Sequence, residues 1–193
     1  IGRDSPLRED LLNDSDPNVR KTAIKTSVKK SSPEVIRALI DNLGNPEYSN
    51  QAADALVLIG GKTLNILDAA FYRTGQSAQV LGQIVRSIGH IGGQHAKEIL
   101  WNKIDFPDKV VVSKVLLALG DAGFKANNTQ GPRIRYAIET DIGDISWNLS
   151  AIDELGTEGI SKDIKDALRT EIANDIDHVY MLLAMLYDAR SIQ

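Results

Sequence analysis

Four copies of one six-residue pattern, each a little over thirty residues from the last, restrict this chain more than any other feature. Ala55-Leu56-Val57-Leu58-Ile59-Gly60 is the first. Ser87-Ile88-Gly89-His90-Ile91-Gly92 begins thirty-two residues later, and Ala118-Leu119-Gly120-Asp121-Ala122-Gly123 thirty-one after that. Ala151-Ile152-Asp153-Glu154-Leu155-Gly156 follows at a further thirty-three. Each copy starts small, is apolar at its second and fifth positions, and ends in glycine. A repeat of this length is what stacked supersecondary units leave in a sequence. One such unit cannot bury its apolar face alone, so each depends on its neighbours.

The punctuation between copies reads as helix starts and stops. Ser5-Pro6, Asp16-Pro17, Ser32-Pro33 and Asn45-Pro46 each join a side-chain oxygen able to cap orphan N–H groups to a proline suited to the first helical turn. Gly44, Gly60-Gly61, Gly92-Gly93, Gly123 and Gly156 suit the closing position, where the chain turns left-handed. These signals predict six helix pairs: 5–13 with 17–30, 33–43 with 47–59, 62–73 with 77–91, 94–104 with 108–122, 132–142 with 145–155, and 160–174 with 176–188. A longer loop, Lys125 to Gly131, precedes the fifth pair. Alternation of period two is nowhere sustained, so no strand is expected. Val110-Val111-Val112 is β-branched, but the repeat assigns it to a helix and outweighs propensity.

Aligning the second helices produces a core stripe. Ala52, Ile84, Val115 and Met181 share one column, and Leu56, Ile88, Leu119, Ile152 and Met185 another. Asn148 interrupts the first column; buried without partners it would cost about 1–3 kcal/mol. The last helix is apolar almost all round, from Val179 to Leu186, and the chain runs on through 188–193 with no clear stop. Either another element covers that helix or the chain caps itself. Because residue 1 is Ile and not Met, the sequence reads as a single domain, 1–193, cut from something longer.

Composition narrows the function classes. The 193 residues are 42% hydrophobic and 25% charged, with net charge 22 − 26 = −4. Nucleic-acid binding is not expected, because phosphate contact needs a basic face and only Arg20-Lys21 through Lys25 to Lys29-Lys30 is basic. With no cysteine there is no disulfide framework, which fits a reducing, cytoplasmic setting. The longest apolar run, Tyr180 to Tyr187, has eight residues, against about 20 for a bilayer span, and no signal-peptide pattern is present. Insertion of this segment into a membrane is therefore not expected.

The segment Leu11-Leu12-Asn13-Asp14-Ser15-Asp16-Pro17-Asn18-Val19-Arg20-Lys21-Thr22-Ala23 resembles the HEAT-repeat consensus, in which an acidic turn leads into Asp-Pro-x-Val-Arg-x-x-Ala. Pairs two to five keep the family's small-apolar-x-x-apolar-Gly ending. The chain departs from the family where Ser49, Leu81, Val112 and Ile145 replace Arg20, so the usual Asp/Arg ladder is missing after the first repeat. The resemblance implies an all-α, right-handed α-α superhelix of about six helix pairs that binds other proteins. A second resemblance joins 148–155 and 182–188 to HEAT-like cytosolic regions of bacterial membrane proteins similar to ATP/ADP translocases. It implies an accessory domain whose partner is the membrane part of its own full-length chain.

On the second helices, positions three and seven residues apart share a face. The columns at Gln51, Asp54 and Leu58 form the polar face opposite the core stripe. They supply Gln83, Arg86 and His90, then Lys114, Leu117 and Asp121, then Trp147, Ser150 and Glu154. The HEAT resemblance places such helices on a concave side, so these residues are the candidate groove for a protein or peptide partner. The plainer account is a solvated helix face, the default on surface helices. Trp147 is either a binding anchor or packing between repeats, while Trp101 reads as core.

Chemistry finds no foothold. His90, His95 and His178 lack the i, i+3 or i+4 spacing of helical metal ligands. Asp175, Asp177 and His178 could collect a cation, but acids in a helix's first turn ordinarily serve the helix dipole. Gly89-His90-Ile91-Gly92-Gly93 lacks the strand and the Gly-Lys-Ser/Thr of a phosphate loop and reads as a helix cap. Arg133 and Arg135 could grip an anion, but an exposed helix start accounts for them. The Asn127-Asn128-Thr129 sequon matters only in a secreted chain. No nucleophile sits in a recognised elbow, so no catalytic, metal or cofactor-binding residue is expected, although bilin lyases and DNA glycosylases with HEAT-like folds make an enzyme the third reading.

Overall fold

The computed structural model describes residues 7–29, 31–155 and 160–187, which are helical with no strand among them. Ser5-Pro6, Lys30, Gly156 and the tail 188–193 lie outside the described residues. By internal contact the chain forms two compact units, Ile1–Ala122 and Gly123–Gln193.

The first unit holds α1 (Leu7–Leu12), α2 (Pro17–Ser27), α3 (Pro33–Asp41), α4 (Ser49–Ile59), α5 (Leu64–Phe71), α6 (Ala78–Ile91), α7 (Gly93–Trp101) and α8 (Lys109–Asp121). Short 3-10 turns at Asn42–Gly44 and Gly60–Thr63 follow α3 and α4. Consecutive helices pair as the sequence predicts: α1 with α2, α3 with α4, α5 with α6, α7 with α8. The odd helices pack in one row, each on the next, and the even helices in a second row.

The starts follow capping chemistry. Asp16 Oδ1 accepts from the Asn18 N–H at 2.8 Å and Ser32 Oγ from Val35 at 3.3 Å. Asp108 Oδ1 accepts from Val110 at 2.9 Å and Val111 at 3.1 Å, so the cap and the repeat together hold the valine run helical. Asn45-Pro46 does not open α4 directly. Asn45 Oδ1 instead accepts from Glu47 at 2.9 Å, making a turn, and the helix starts three residues later at Ser49 without a side-chain cap. At the far end of α6, Gly92 takes φ 68° and donates to the Ile88 carbonyl at 3.1 Å, as a closing glycine should.

In the first unit the core stripe is where the columns put it, whereas Ile152 and Met181 in the second are half-buried. Ala52, Leu56, Ile84, Ile88, Val115 and Leu119 are all fully buried. Two polar links stitch the first repeats. Arg20 Nε donates to Asn42 Oδ1 at 2.8 Å, and Asn42 Nδ2 donates to the carbonyls of Leu12 at 3.2 Å and Ala38 at 2.7 Å. The Lys103 side chain, completely enclosed, pairs with Asp68 and lies over the rings of Phe71 and Tyr72.

The second unit corrects the expected last two pairs. Residues 131–154 form one helix, α9 (Gly131–Glu154), and 160–186 another, α10 (Ile160–Leu186), packed on each other. The reason is in the stripe. Ile134, Ile138, Asp141, Ile145, Asn148 and Ile152 recur at alternating steps of four and three straight through Gly143. Leu168, Ile172, Asp175, Val179, Leu182 and Leu186 do the same on α10. Neither stripe changes phase where a break was expected. Gly143 lacks the positive φ of a closing glycine, and one interior glycine costs only about 1 kcal/mol.

The last helix is covered in part within this unit, with Val179, Met181, Leu183 and Leu186 half-buried and Ala184 exposed. Leu182 and Met185 are buried. The Ala126 N–H donates to the Met185 carbonyl at 2.9 Å, and Lys125 Nζ to the carbonyls of Ala184 and of Tyr187, the latter at 3.2 Å. A lysine on the orphan carbonyls of a helix end suits both hydrogen bonding and dipole. Among the described residues no helix is long and apolar enough to cross a membrane.

Candidate functional site

A concavity lies between α6 and α8, within the first unit. On α6, Gln79, Gly82 and Gln83, Arg86, and Gly89 and His90 recur every three or four residues and so form one face. Lys114, Leu117, Ala118 and Asp121 do the same on α8. These ten residues line a groove of about 400 Å³.

Two glycines shape its floor. A Cβ on Gly89 would sit 2.9 Å from the Ala118 Cβ, closer than real side chains allow, so glycine sets the spacing of the two helices. A Cβ on Gly82 would collide with the Lys114 side chain, which lies across that position. The walls carry charge: Arg86 and His90 are exposed, Lys114 is half-buried, and Asp121 is the one carboxylate. Leu117, 55% exposed, adds an apolar edge. Gln83 Oε1 is buried and accepts no hydrogen bond.

Of the twelve groove candidates from the sequence, the structure brings six together, Gln83, Arg86, His90, Lys114, Leu117 and Asp121, and Leu58 on α4 lies outside the lining. Gln51 and Asp54 lie on α4, half-buried and exposed respectively, outside the groove lining. Trp147, Ser150 and Glu154 are exposed on α9, in the second unit, and Ser150 Oγ donates to the Ser146 carbonyl at 3.1 Å. Trp147 is 69% exposed, and Trp101 is half-buried rather than fully in the core. Column alignment missed Gln79, Gly82, Gly89 and Ala118. The i, i+3, i+7 spacing of 79, 82, 86 and 89 held that signal.

The remaining candidates separate. His95 is exposed, with Nε2 2.7 Å from Asn65 Oδ1 and Nδ1 3.9 Å from Glu98 Oε2. Arg133 and Arg135 stand in the first turns of α9. Asp175 and His178 are not in a first turn. They lie deep inside the continuous α10, buried, with ligand atoms within 4.8 Å of each other and of buried Asp141 on α9. Asp177, between them in sequence, is exposed.

No protein-family model matches this chain, and no curated protein matches it either.

Proposed function

We propose that residues 1–122 are a HEAT-like, right-handed stack of four helix pairs whose groove between α6 and α8 binds an acidic peptide segment of a protein partner in the cytoplasm, without chemistry of its own. The single observation that carries this reading is the convergence of Gln83, Arg86, His90, Lys114 and Asp121, chosen by repeat alignment, on one groove. The two rows of helices and the Asp-Pro-x-Val-Arg opening of α2 support the stack.

The groove's size suits a few side chains of an extended segment rather than a whole helix. Arg86 and Lys114 against Asp121 leave a positive balance, which favours a carboxylate-bearing partner. That patch is too small to track a nucleic-acid backbone.

The test is panning of a random-peptide phage library on the full chain. Enriched sequences should carry Asp or Glu beside an apolar residue. Arg86→Glu combined with Lys114→Glu should weaken a selected peptide by at least about tenfold, the scale of losing a close charge contact. A selection without enrichment, or peptides that hold the double variant equally well, would count against the groove.

A further inference from the structure

The seam of the α9–α10 hairpin is apolar at most of its positions, yet two of them are acidic. Asp141 on α9 and Asp175 on α10 occupy the alternating four-and-three stripe otherwise filled by Ile134, Ile138, Val179 and Leu182. Both acids are buried, Asp175 completely. His178, 3% exposed, stands one turn beyond Asp175 on the same helix. Placing two carboxylates and an imidazole inside a helical seam is costly unless the charges are compensated.

Spacing supplies the chemistry. Asp-x-x-His at i, i+3 presents an oxygen and a nitrogen from one helical face, and a carboxylate from the facing helix completes the set. Helical bundles that hold metals in their cores use this kind of arrangement. One ligand atom from each residue lies within 4.8 Å of the other two. The centre of a triangle with 4.8 Å sides is about 2.8 Å from each corner, so less than about 1 Å of side-chain movement reaches the 2.0–2.2 Å of zinc bonds. We propose that Asp141, Asp175 and His178 bind one divalent first-row transition metal ion, which pins α9 to α10.

The imidazole sets the class. Magnesium and calcium favour all-oxygen sets, whereas zinc and its neighbours accept nitrogen with carboxylate. A dication also matches the two carboxylate charges. The ligands' burial makes the role structural, a tie between helices, so the site is independent of the peptide groove.

Titration of the full chain with Co²⁺, read by visible d–d absorption, and with Zn²⁺, read by calorimetry and thermal melting, tests the assignment. The expected result is one ion per chain, ligand-field bands from the protein-bound cobalt, and a Tm raised by several degrees in Zn²⁺. Asp175→Asn and His178→Gln should each lower affinity more than about tenfold, since even partners outside the ligand shell act on that scale. His95→Gln, which alters an exposed histidine of the first unit, should change nothing. Equal binding by wild type, Asp175→Asn and His178→Gln overturns the proposal. If a variant does not fold, the wild type decides alone: no cobalt bands and no Tm change in Zn²⁺ overturn it too.

Discussion

Lys103 shows how a single charged side chain is made tolerable inside this protein. Its side chain is fully enclosed, while its partner Asp68 keeps 39% of its side chain in solvent. The rings of Phe71 and Tyr72, at 4.6 and 4.7 Å, present their faces to the ammonium. Removing the partner leaves an enclosed charge with less compensation, whereas replacing the cation removes the need for it. Asp68→Ala should therefore destabilise by about 2 kcal/mol, and Lys103→Met by much less, in urea denaturation. A larger loss in Lys103→Met would show that the contact is a net stabiliser. Glu47 makes the opposite, exposed case. The Lys21 ammonium donates to it at 3.0 Å and holds its carboxyl below the usual carboxylate range. The folded chain then stays ionised at a pH where the unfolded chain has begun to take up a proton. The stabilisation is complete above the unfolded value of about 4.3 and fades as pH falls through the lower folded value. The Tm gap between wild type and Glu47→Gln should be small at neutral pH and close as pH falls through the lowered folded value.

At the scale of elements, glycine has opposite consequences in different helices. Gly89 lies against Ala118, and a methyl there must push α6 from α8. Gly89→Ala should cost about 1–3 kcal/mol by overpacking, beyond any gain in helix propensity. Gly143 has nothing within 4 Å of where a Cβ would stand. Because α9 runs continuously through it, Gly143→Ala should stabilise by about 0.5–1 kcal/mol and raise Tm. Had the chain broken there, as the repeat suggests, the same change would be neutral or harmful. This contrast marks what the sequence makes legible. Where Asp16, Ser32, Ser77 and Asp108 cap helices and Gly60 and Gly92 close them, the eight helices of the first unit follow, and with them the α6 face that lines the groove. In the second unit the six-residue ending at 151–156 still reads as a repeat, but no cap interrupts 131–154, and the unbroken stripe through Gly143 decides instead. Asp141 escaped notice because its partners are thirty-four and thirty-seven residues away, a contact that only the hairpin's register specifies.

At the scale of the molecule, the two units differ in what holds each together. Among the described residues, all but five of the buried apolar side chains belong to the first unit. The second has Phe124, Ile134, Ile138, Leu182 and Met185, set against four buried polar groups, Asp141, Asn148, Asp175 and His178. Burial of apolar area is the main favourable term in folding, at about 25 cal/mol per Å², so a core nearly half polar leaves little to offset chain entropy. Two helices alone also give each other a single packed face. Expressed separately, 1–122 should therefore melt cooperatively by circular dichroism, and 123–193 should show weak helicity and no sharp transition. If the buried Asp-Asp-His set takes a metal, Zn²⁺ should raise the helical signal of 123–193 and sharpen its melt, because an ion that binds only the assembled hairpin adds its binding energy to folding. The same addition should leave 1–122 unchanged. A sharp metal-free melt of 123–193 would mean that the second unit needs no tie.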